Sequence, residues 1–596
     1  MIKNMCLVLL CLFAGISFYR PIEVSDVGWH LATGQWILTH AQVPHSDLFA
    51  ITADPSPWVF TQWLGSALLA VPYLLGGPEA LKIFRAFILL LPVLIFIFYS
   101  RLRISLLIVI ATATFMIYGL GTRCLARSFI FNFTFISLLL IILFSFQKNR
   151  LLKQLYILPV IGLIWGNIHL GSFVYGGLIL FSFFLSTGLS LIKEFNQTTS
   201  PVVKNDALQV FKHVVIVCFL YFIFLGVTPY GWEGFLYPYK VFLMPHYINF
   251  YQFTFSVAEN LSPTYVLTLA GSWFSGLAIG TLASLLIGKK KDLFSIILFI
   301  LSLFLFIAFG RGSGFFVLVC SYIIVDQISS GIFEKKIPSW LLRLPWLRWV
   351  GYSVLILILS LHVINIVTKK AYLNGRERRV LLLNYIANHP KDSVDFLKDL
   401  GLGGNVFCND HIGSYIVGAQ YPFMKTLIDG RQVDQRYFRD YLNVTDDPPK
   451  YWQNVQNKYN IVIVLLDASL PISLKLAHYL NAHNDWQMIN VDNTFVTFIK
   501  RGVFSLPLDV NSFQESLKII PVTAQENDEF MNLMLNHKFK RSFFYFSYSS
   551  QFVDSLEEGV TLLELGYEKA AIKKFVQSLK VDPQMVKQAL AIESTP

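Results

Sequence analysis

Apolar runs of about 18 residues recur from the N-terminus to residue 367, each long enough to cross a hydrocarbon core of about 30 Å as a helix. The pattern predicts spans near 3–19, 83–99, 104–121, 128–146, 154–170, 171–192, 211–228, 263–287, 292–309, 312–328 and 349–367. A transmembrane barrel would show shorter, alternating segments instead. From Lys369 the pattern changes. Residues 376–400 carry a helical period anchored by Val380, Leu383, Ile386, Val394, Phe396 and Leu397. Strand-like runs follow at Asn405–Cys408, Lys425–Ile428, Ile461–Leu466 and Thr494–Ile499, with helical patterns between some of them. The expected architecture is an α-helical polytopic membrane domain over 1–368, with about 11 transmembrane helices. A C-terminal α/β domain over 369–503 follows it, and then a helical tail over 504–596.

Composition agrees: 55% of the 596 residues are hydrophobic and 14% charged, with a mean hydropathy of +0.55, where a soluble domain carries about 25% charge. The net charge of +11 would suit nucleic acid in a soluble protein. Here Lys and Arg gather in short loops between spans, so the membrane accounts for them and no nucleic-acid partner is expected. The six cysteines are four in apolar runs (Cys6, Cys11, Cys218, Cys320), Cys124 at a helix end and Cys408 in the tail. They form neither a disulfide framework nor a metal-ligand spacing. Gly15-Ile16-Ser17 would serve as a signal-peptidase site, but an uncleaved first helix with Lys3 on the cytoplasmic side is the preferred reading.

Charge also decides the status of residues 61–76, an apolar stretch interrupted by Pro72. If it lies along the outer surface, the inner loops hold sixteen basic residues and the outer parts of the membrane domain hold seven. That bias favours an interfacial helix, a cytoplasmic N-terminus and an extracytoplasmic tail. The first loop (20–82), Arg123, Arg127, His169, the loop 229–260, Arg311 and the tail then share one side.

The first loop is the richest in chemistry. It reads Ser25-Asp26-Val27-Gly28-Trp29-His30 and continues to Pro44-His45-Ser46-Asp47. Asp26 and His30 are four apart, so one helical turn would point both the same way. With Asp47 they are a candidate set for a divalent metal, although plain hydrogen bonding is the preferred reading. Trp29, Trp36, Trp58 and Trp63 suit stacking on a sugar face, while bilayer interfaces attract tryptophan for solvation alone. In the tail, Asn409-Asp410-His411-Ile412-Gly413-Ser414-Tyr415 and Asp429-Gly430-Arg431 follow predicted strands, where α/β domains place ligand-contacting loops. Turn formation explains the same residues, and is preferred. Residues Leu556 to Pro583 resemble one tetratricopeptide repeat, read as a helical cap in preference to a surface for a protein partner.

The order of these elements resembles the GT-C superfamily of integral-membrane glycosyltransferases, in particular bacterial proteins related to the protein mannosyltransferase and lipid A aminoarabinose transferase families. Asp26, Trp29 and His30 carry the likeness in the first loop, followed by Gly34, Pro44 and Asp47. Trp63 to Leu75 leading into Gly76-Gly77-Pro78-Glu79 and Arg85 looks like the juxtamembrane helices of that fold. Trp165-Gly166-Asn167-Ile168-His169-Leu170-Gly171, Pro229-Tyr230-Gly231-Trp232 and Ile428-Asp429-Gly430-Arg431 add to it. The likeness covers roughly residues 1–503, and the order of the motifs is a stronger signal than any one of them.

The resemblance implies a bacterial inner-membrane enzyme. It would transfer a sugar from a polyprenyl-phosphate-linked donor, outside the cytoplasm, to a hydroxyl of a glycan, lipid or protein. An acceptor hydroxyl needs a carboxylate base, and a leaving lipid phosphate needs cations or a metal. Asp26 directly follows the first span, as the catalytic Asp of such families does, and is the expected base, with Asp47 assisting. Trp29, His30 and His169 are expected substrate contacts, His169 equally well a structural residue. Arg123, Arg127 and Arg311 at outer helix ends are expected phosphate ligands. Snorkelling to the headgroups explains Arg123 and Arg127 equally well. The sequence departs from the family in lacking a clear acidic residue in a later outer loop, where only Glu233 and Glu259 stand in. A non-catalytic protein of the same fold, binding a lipid-linked glycan or a partner protein, is the alternative. A transporter is disfavoured because no inverted repeat is visible.

Overall fold

The computed structural model describes residues 2–22, 26–49, 51–52, 56–169, 172–243, 264–287, 292–329, 345–368, 370–373, 376–379, 389–431, 433, 435–536 and 554–581. The chain divides into two compact units. The first comprises Met1–Arg20, Gly34–His45 and Val59–Ile366; the second comprises Pro21–Thr33, Ser46–Trp58 and Val367–Pro596.

The first unit is helical. Each segment expected to span holds a helix, from Ile2–Phe18 through Leu106–Gly121 and Ser172–Gln197 to Pro345–Thr368. Among the described residues six helices are long and apolar enough to cross a membrane, and five apolar helices are shorter. This is a multi-pass membrane protein. Trp63–Ser100 is interrupted at Gly76 and Gly77, whose backbone leaves the helical region (Gly77 at φ 62°). A left-handed residue followed by Pro78, which has no N–H to donate, separates the stretch 63–75 from the span that follows. Helices Ile157–Ile168 and Pro201–Leu225 approach closely at Gly162 and Gly166; a β-carbon on Gly166 would sit 2.5 Å from the Leu225 carbonyl oxygen. Apolar burial gives helices in lipid little reason to associate, so such small-residue contacts and buried polar pairs hold them together. The fully buried Trp165 donates its Nε1–H to Asn132 Oδ1 at 2.7 Å.

In the second unit β1 (Lys370–Leu373) and β2 (Arg376–Arg379) pair as a hairpin. Part of the expected 376–400 helix is therefore strand. The helix itself runs over Lys391–Asp399, with Pro390 at its start, and residues 380–388 lie outside the described residues. The main sheet contains β3 (Gly404–Cys408), β4 (Met424–Thr426), β5 (Ile461–Asp467), β6 (Trp486–Asp492) and β7 (Phe495–Lys500), in the order β4-β3-β5-β7-β6. β3 is parallel to both β4 and β5. β7 is antiparallel to β5 and β6. Successive side chains of a strand face opposite ways. Accordingly Val464 and Leu466 enter one core with Phe407, Val496 and Phe498, and Ile463 and Leu465 enter the other with Val406, Phe495 and Ile499. Burial on both faces explains why β5 reads as a continuous apolar run.

Helices cover both faces. Val394, Leu397, Ile412 and Ile416 close one core. The other continues into the tail, where Val560, Leu562, Ala571 and Phe575 of the Asp554–Glu564 and Glu568–Val581 helices, with Tyr567 between them, pack with Leu476, Leu480 and Trp486. Lys573 meets Glu526 at 2.7 Å, and Thr561 Oγ1 donates to the Asn493 carbonyl at 2.9 Å. The apolar side of the repeat-like pair is thus spent on the sheet domain. Residues 582–583, part of the repeat-like pattern, lie outside the described residues.

Candidate active site

The parallel strands β3, β4 and β5 end on the same edge of the sheet. After them come Asn409-Asp410-His411, Ile428-Asp429-Gly430-Arg431 and Asp467-Ala468-Ser469. β4 and β5 lie on opposite sides of β3, so the connections diverge here, the position where open α/β sheets commonly bind ligands.

Asp26 belongs to this edge. It immediately precedes the Val27–His40 helix, which stands where a loop is expected, and its carbonyl accepts the His30 N–H at 3.3 Å. A carboxylate at a helix start is favoured by the amide dipoles. Its Oδ1 accepts a hydrogen bond from Ser414 Oγ at 3.0 Å, and Ser414 Oγ in turn accepts the Gly430 N–H at 2.8 Å. His30, 1% exposed, stacks on the Trp29 ring at 3.7 Å.

Asp47 is held next along the same element. Arg431 Nη1 donates to Asp47 Oδ1 at 2.6 Å, and Arg431 grips Asp429 through Nε at 2.9 Å and Nη2 at 2.6 Å. All three side chains are buried. The guanidinium also lies over the rings of Phe49 (4.5 Å) and Trp58 (4.8 Å). Tyr421 Oη donates to the Leu48 carbonyl at 2.7 Å, and Thr52 and Tyr437 share a hydroxyl bond at 2.7 Å. The two expected carboxylates are therefore seated on consecutive residues, Asp26 at Gly430 and Asp47 at Arg431.

At the ends of β3 and β5, His411 Nε2 lies 3.2 Å from Asp467 Oδ2, and Nδ1 lies 3.7 Å from Asp410 Oδ1. Burial alone would lower the His411 pKa. The hydrogen bonds and charges of Asp410 and Asp467 outweigh it and lift His411 to about 10. Asn409 braces this edge, accepting the Asp467 N–H at 2.8 Å and donating to Tyr441 Oη at 2.9 Å.

Among the described residues no group of three or more His, Cys, Asp or Glu side chains is placed to hold a metal. Of the candidate trio, Asp26 accepts from Ser414, His30 stacks on Trp29 and Asp47 pairs with Arg431.

The expected cationic residues lie in the first unit. Asn132 Nδ2 donates to His169 Nδ1 at 3.3 Å, and Tyr175 Oη donates to the Arg311 carbonyl at 3.2 Å. The Arg311 charge acts on both the His169 ring and the Tyr175 hydroxyl, and the Arg123 charge acts on Tyr175. Tyr175 and Arg311 are thus in direct contact, with His169 and Arg123 within reach of the same charges. Arg123 also lies over the Phe129 ring at 5.0 Å. Half-buried Arg127 leads into the turn Ser128–Phe131. Trp63 Nε1 donates to Asn167 Oδ1 at 2.9 Å. Glu233 is in the first turn of the Gly231–Leu243 helix, and Glu259 lies outside the described residues.

Ser414, Gly430 and Arg431 as partners of the first-loop carboxylates were not foreseen. Position after a strand and, for Gly430 and Arg431, the Ile428–Arg431 motif of the resemblance were their signals, and nothing in the spacing joins residue 26 to 414 or 47 to 431.

No protein-family model and no curated protein matches the sequence. The fold does have solved counterparts. The Archaeoglobus fulgidus oligosaccharyltransferase, tethered with an acceptor peptide containing the NVT sequon, aligns with a TM-score of 0.52 at 12% identity, over 96% of this chain and 87% of that one. Its apo form aligns at 0.50 with 11% identity, over 95% and 86%. ArnT from Cupriavidus metallidurans, bound to undecaprenyl phosphate, aligns at 0.48 with 12% identity, over 85% and 98%. The archaeal matches show that the chain shares the fold of that oligosaccharyltransferase, in line with the GT-C resemblance carried by the order of the sequence motifs, and at these identities the likeness is one of fold.

Proposed function

We propose that this chain is an extracytoplasmic glycosyltransferase of a bacterial inner membrane. It moves a sugar from a polyprenyl-phosphate-linked donor to a hydroxyl on a glycan, lipid or protein. The observation that carries the reading is Asp26, a carboxylate fixed at a helix start directly after the first apolar helix, in a chain of GT-C fold. Such a group accepts the proton of an acceptor hydroxyl as the oxygen attacks the anomeric carbon. The bond from that carbon to the lipid phosphate breaks, and the phosphate leaves as an anion. Arg123, Arg127 and Arg311, with His169, are the residues of the first unit that suit a phosphate, because guanidinium forks match its oxygens. The archaeal counterpart's acceptor peptide makes a protein hydroxyl one acceptor class to try first. The basic inner loops support a cytoplasmic N-terminus, and the break at Gly76-Gly77 supports an interfacial stretch 63–75.

The test uses purified protein in vesicles loaded with short-chain polyprenyl-phosphate sugars and peptide, glycan or lipid acceptors. Transfer by the wild type that is lost in Arg123→Gln and Arg311→Gln at low donor, and recovered at high donor, supports the phosphate assignment. Absence of transfer with every donor, alongside saturable binding of polyprenyl phosphate, would instead establish the second reading, a non-catalytic binder of lipid-linked glycan. One observation favours that reading: the Asp47 carboxylate is engaged by the buried Arg431, and among the described residues no group of three acidic, His or Cys side chains is placed to hold a metal.

A further inference from the structure

We infer that Ser414 and Gly430 are positioning residues for Asp26, so that the sheet domain, through its strand-end loops, sets the geometry of the proposed base. This rests on the functional reading above and goes beyond it by giving the sheet domain a role in the transfer step.

Three observations within the second unit carry it. Ser414 has one hydroxyl proton and two acceptors in reach, Asp26 Oδ1 at 3.0 Å and the Asp410 carbonyl one turn back at 3.1 Å. A carboxylate is the stronger acceptor, so the proton goes to Asp26. The Gly430 N–H occupies a lone pair of the same hydroxyl at 2.8 Å and fixes the direction of its O–H bond. A backbone amide at the end of β4 therefore orients a side chain near the start of the Asp410–Gln420 helix, and that side chain orients Asp26.

The second observation is steric. A β-carbon on Gly430 would lie 2.2 Å from Asp26 Oδ1 and 2.8 Å from Ser414 Oγ, so any side chain there expels the carboxylate from its seat. The third concerns the approach of the two helices. A β-carbon on Gly28 would fall 2.2 Å from the Ser414 carbonyl oxygen, and one on Gly418 would fall 2.4 Å from the Gly28 α-carbon. Backbone meets backbone at Gly28 and Gly418, and this brings residue 26 within a hydrogen bond of residue 414. Turn-forming explains the glycine at 430 in isolation, but not three glycines facing the same two residues, Asp26 and Ser414, or their helices.

The experiment compares Ser414→Ala, Ser414→Thr and Asp26→Asn as full-length protein in vesicles, reading kcat, the donor KM and amide hydrogen exchange over residues 26–33. A misdirected base costs rate without weakening donor binding. Ser414→Ala is therefore expected to lower kcat by about 10- to 100-fold at unchanged donor KM, and to speed exchange over 26–33. Ser414→Thr, which keeps the hydroxyl, restores both. Ser414→Ala transferring at the wild-type rate while Asp26→Asn is inactive would overturn the positioning role and leave the base assignment standing. Asp26→Asn retaining full activity would overturn the base assignment itself, and the exchange data would then report only on the seat. Gly418→Val is a second probe of the same docking, expected to speed exchange over 26–33 with donor KM unchanged; unchanged exchange there contradicts the seat.

Discussion

Replacing Arg431 with methionine keeps most of the side-chain volume and removes the charge. In the wild type this guanidinium, 3% exposed, faces two carboxylates that are each 7% exposed. Without it Asp47 and Asp429 remain buried together with no cation between them. Removing one partner from a buried ion pair costs about 3–5 kcal/mol, and losing the ring contacts with Phe49 and Trp58 adds about 0.5–1 kcal/mol each. We expect the segment 46–58 to lose about 4–7 kcal/mol of local stability. A single global unfolding energy is poorly defined for a chain of two units, so the quantity to measure is the local opening free energy from amide exchange over 46–58 and 425–431 in nanodiscs. A cycle with Asp47→Asn tests the cause. In the wild-type background that change removes a charge-assisted bond and costs about 1.5–3 kcal/mol. In the Arg431→Met background it removes an uncompensated buried charge, and should be neutral or stabilising. An Arg431→Met opening energy within 1 kcal/mol of wild type, or additive effects in the cycle, would refute the ion-triad account.

His411 has a folded pKa of about 10 against an ordinary 6.5, so its contribution to stability is full below pH 6.5 and is lost as pH rises toward 10; His411→Asn should flatten the difference in opening energy of the β3 and β5 amides over that window. Burial, with the nearby Asp392 and Glu558 charges, raises Asp492 from 3.8 to about 6, so its ionisation costs stability as pH climbs through that range. Asp492→Asn should therefore stabilise the second unit at pH 7 by about 1 kcal/mol, after discounting for partial exposure, and an unchanged melting temperature would contradict this. Gly166→Val must push the Pro201–Leu225 helix away from a contact of 2.5 Å, and should lower the melting temperature in detergent by the equivalent of about 1–3 kcal/mol.

The membrane helices were legible because lipid demands long apolar runs, and each such run holds a helix. The strands β3, β4, β5 and β7 were legible as apolar runs bounded by turn residues. β6 was not foreseen, because Gln487, Asn490 and Asp492 break its apolar pattern at the edge of the sheet. The Val27–His40 helix was hidden by Gly28 and Gly34, which look like loop punctuation and in fact permit close packing. Asp26 and Asp47 stood out as carboxylates after the first apolar run. Their partners lie 388 and 384 residues away, and no local pattern encodes pairings at that separation. Plain hydrogen bonding, the reading preferred for Asp26 over a metal, matches its bond from Ser414, while the helical spacing of Asp26 and His30 gave no hint of that partner.

The central claim is that Asp26 removes the acceptor proton. The direct measurement is the single-turnover transfer rate of Asp26→Asn at saturating donor, with donor binding and exchange over 26–33 measured in parallel. The account predicts a rate lower by about 10²–10⁴-fold, the range for loss of a general base, with donor affinity and exchange unchanged. A variant that transfers at the wild-type rate would contradict it.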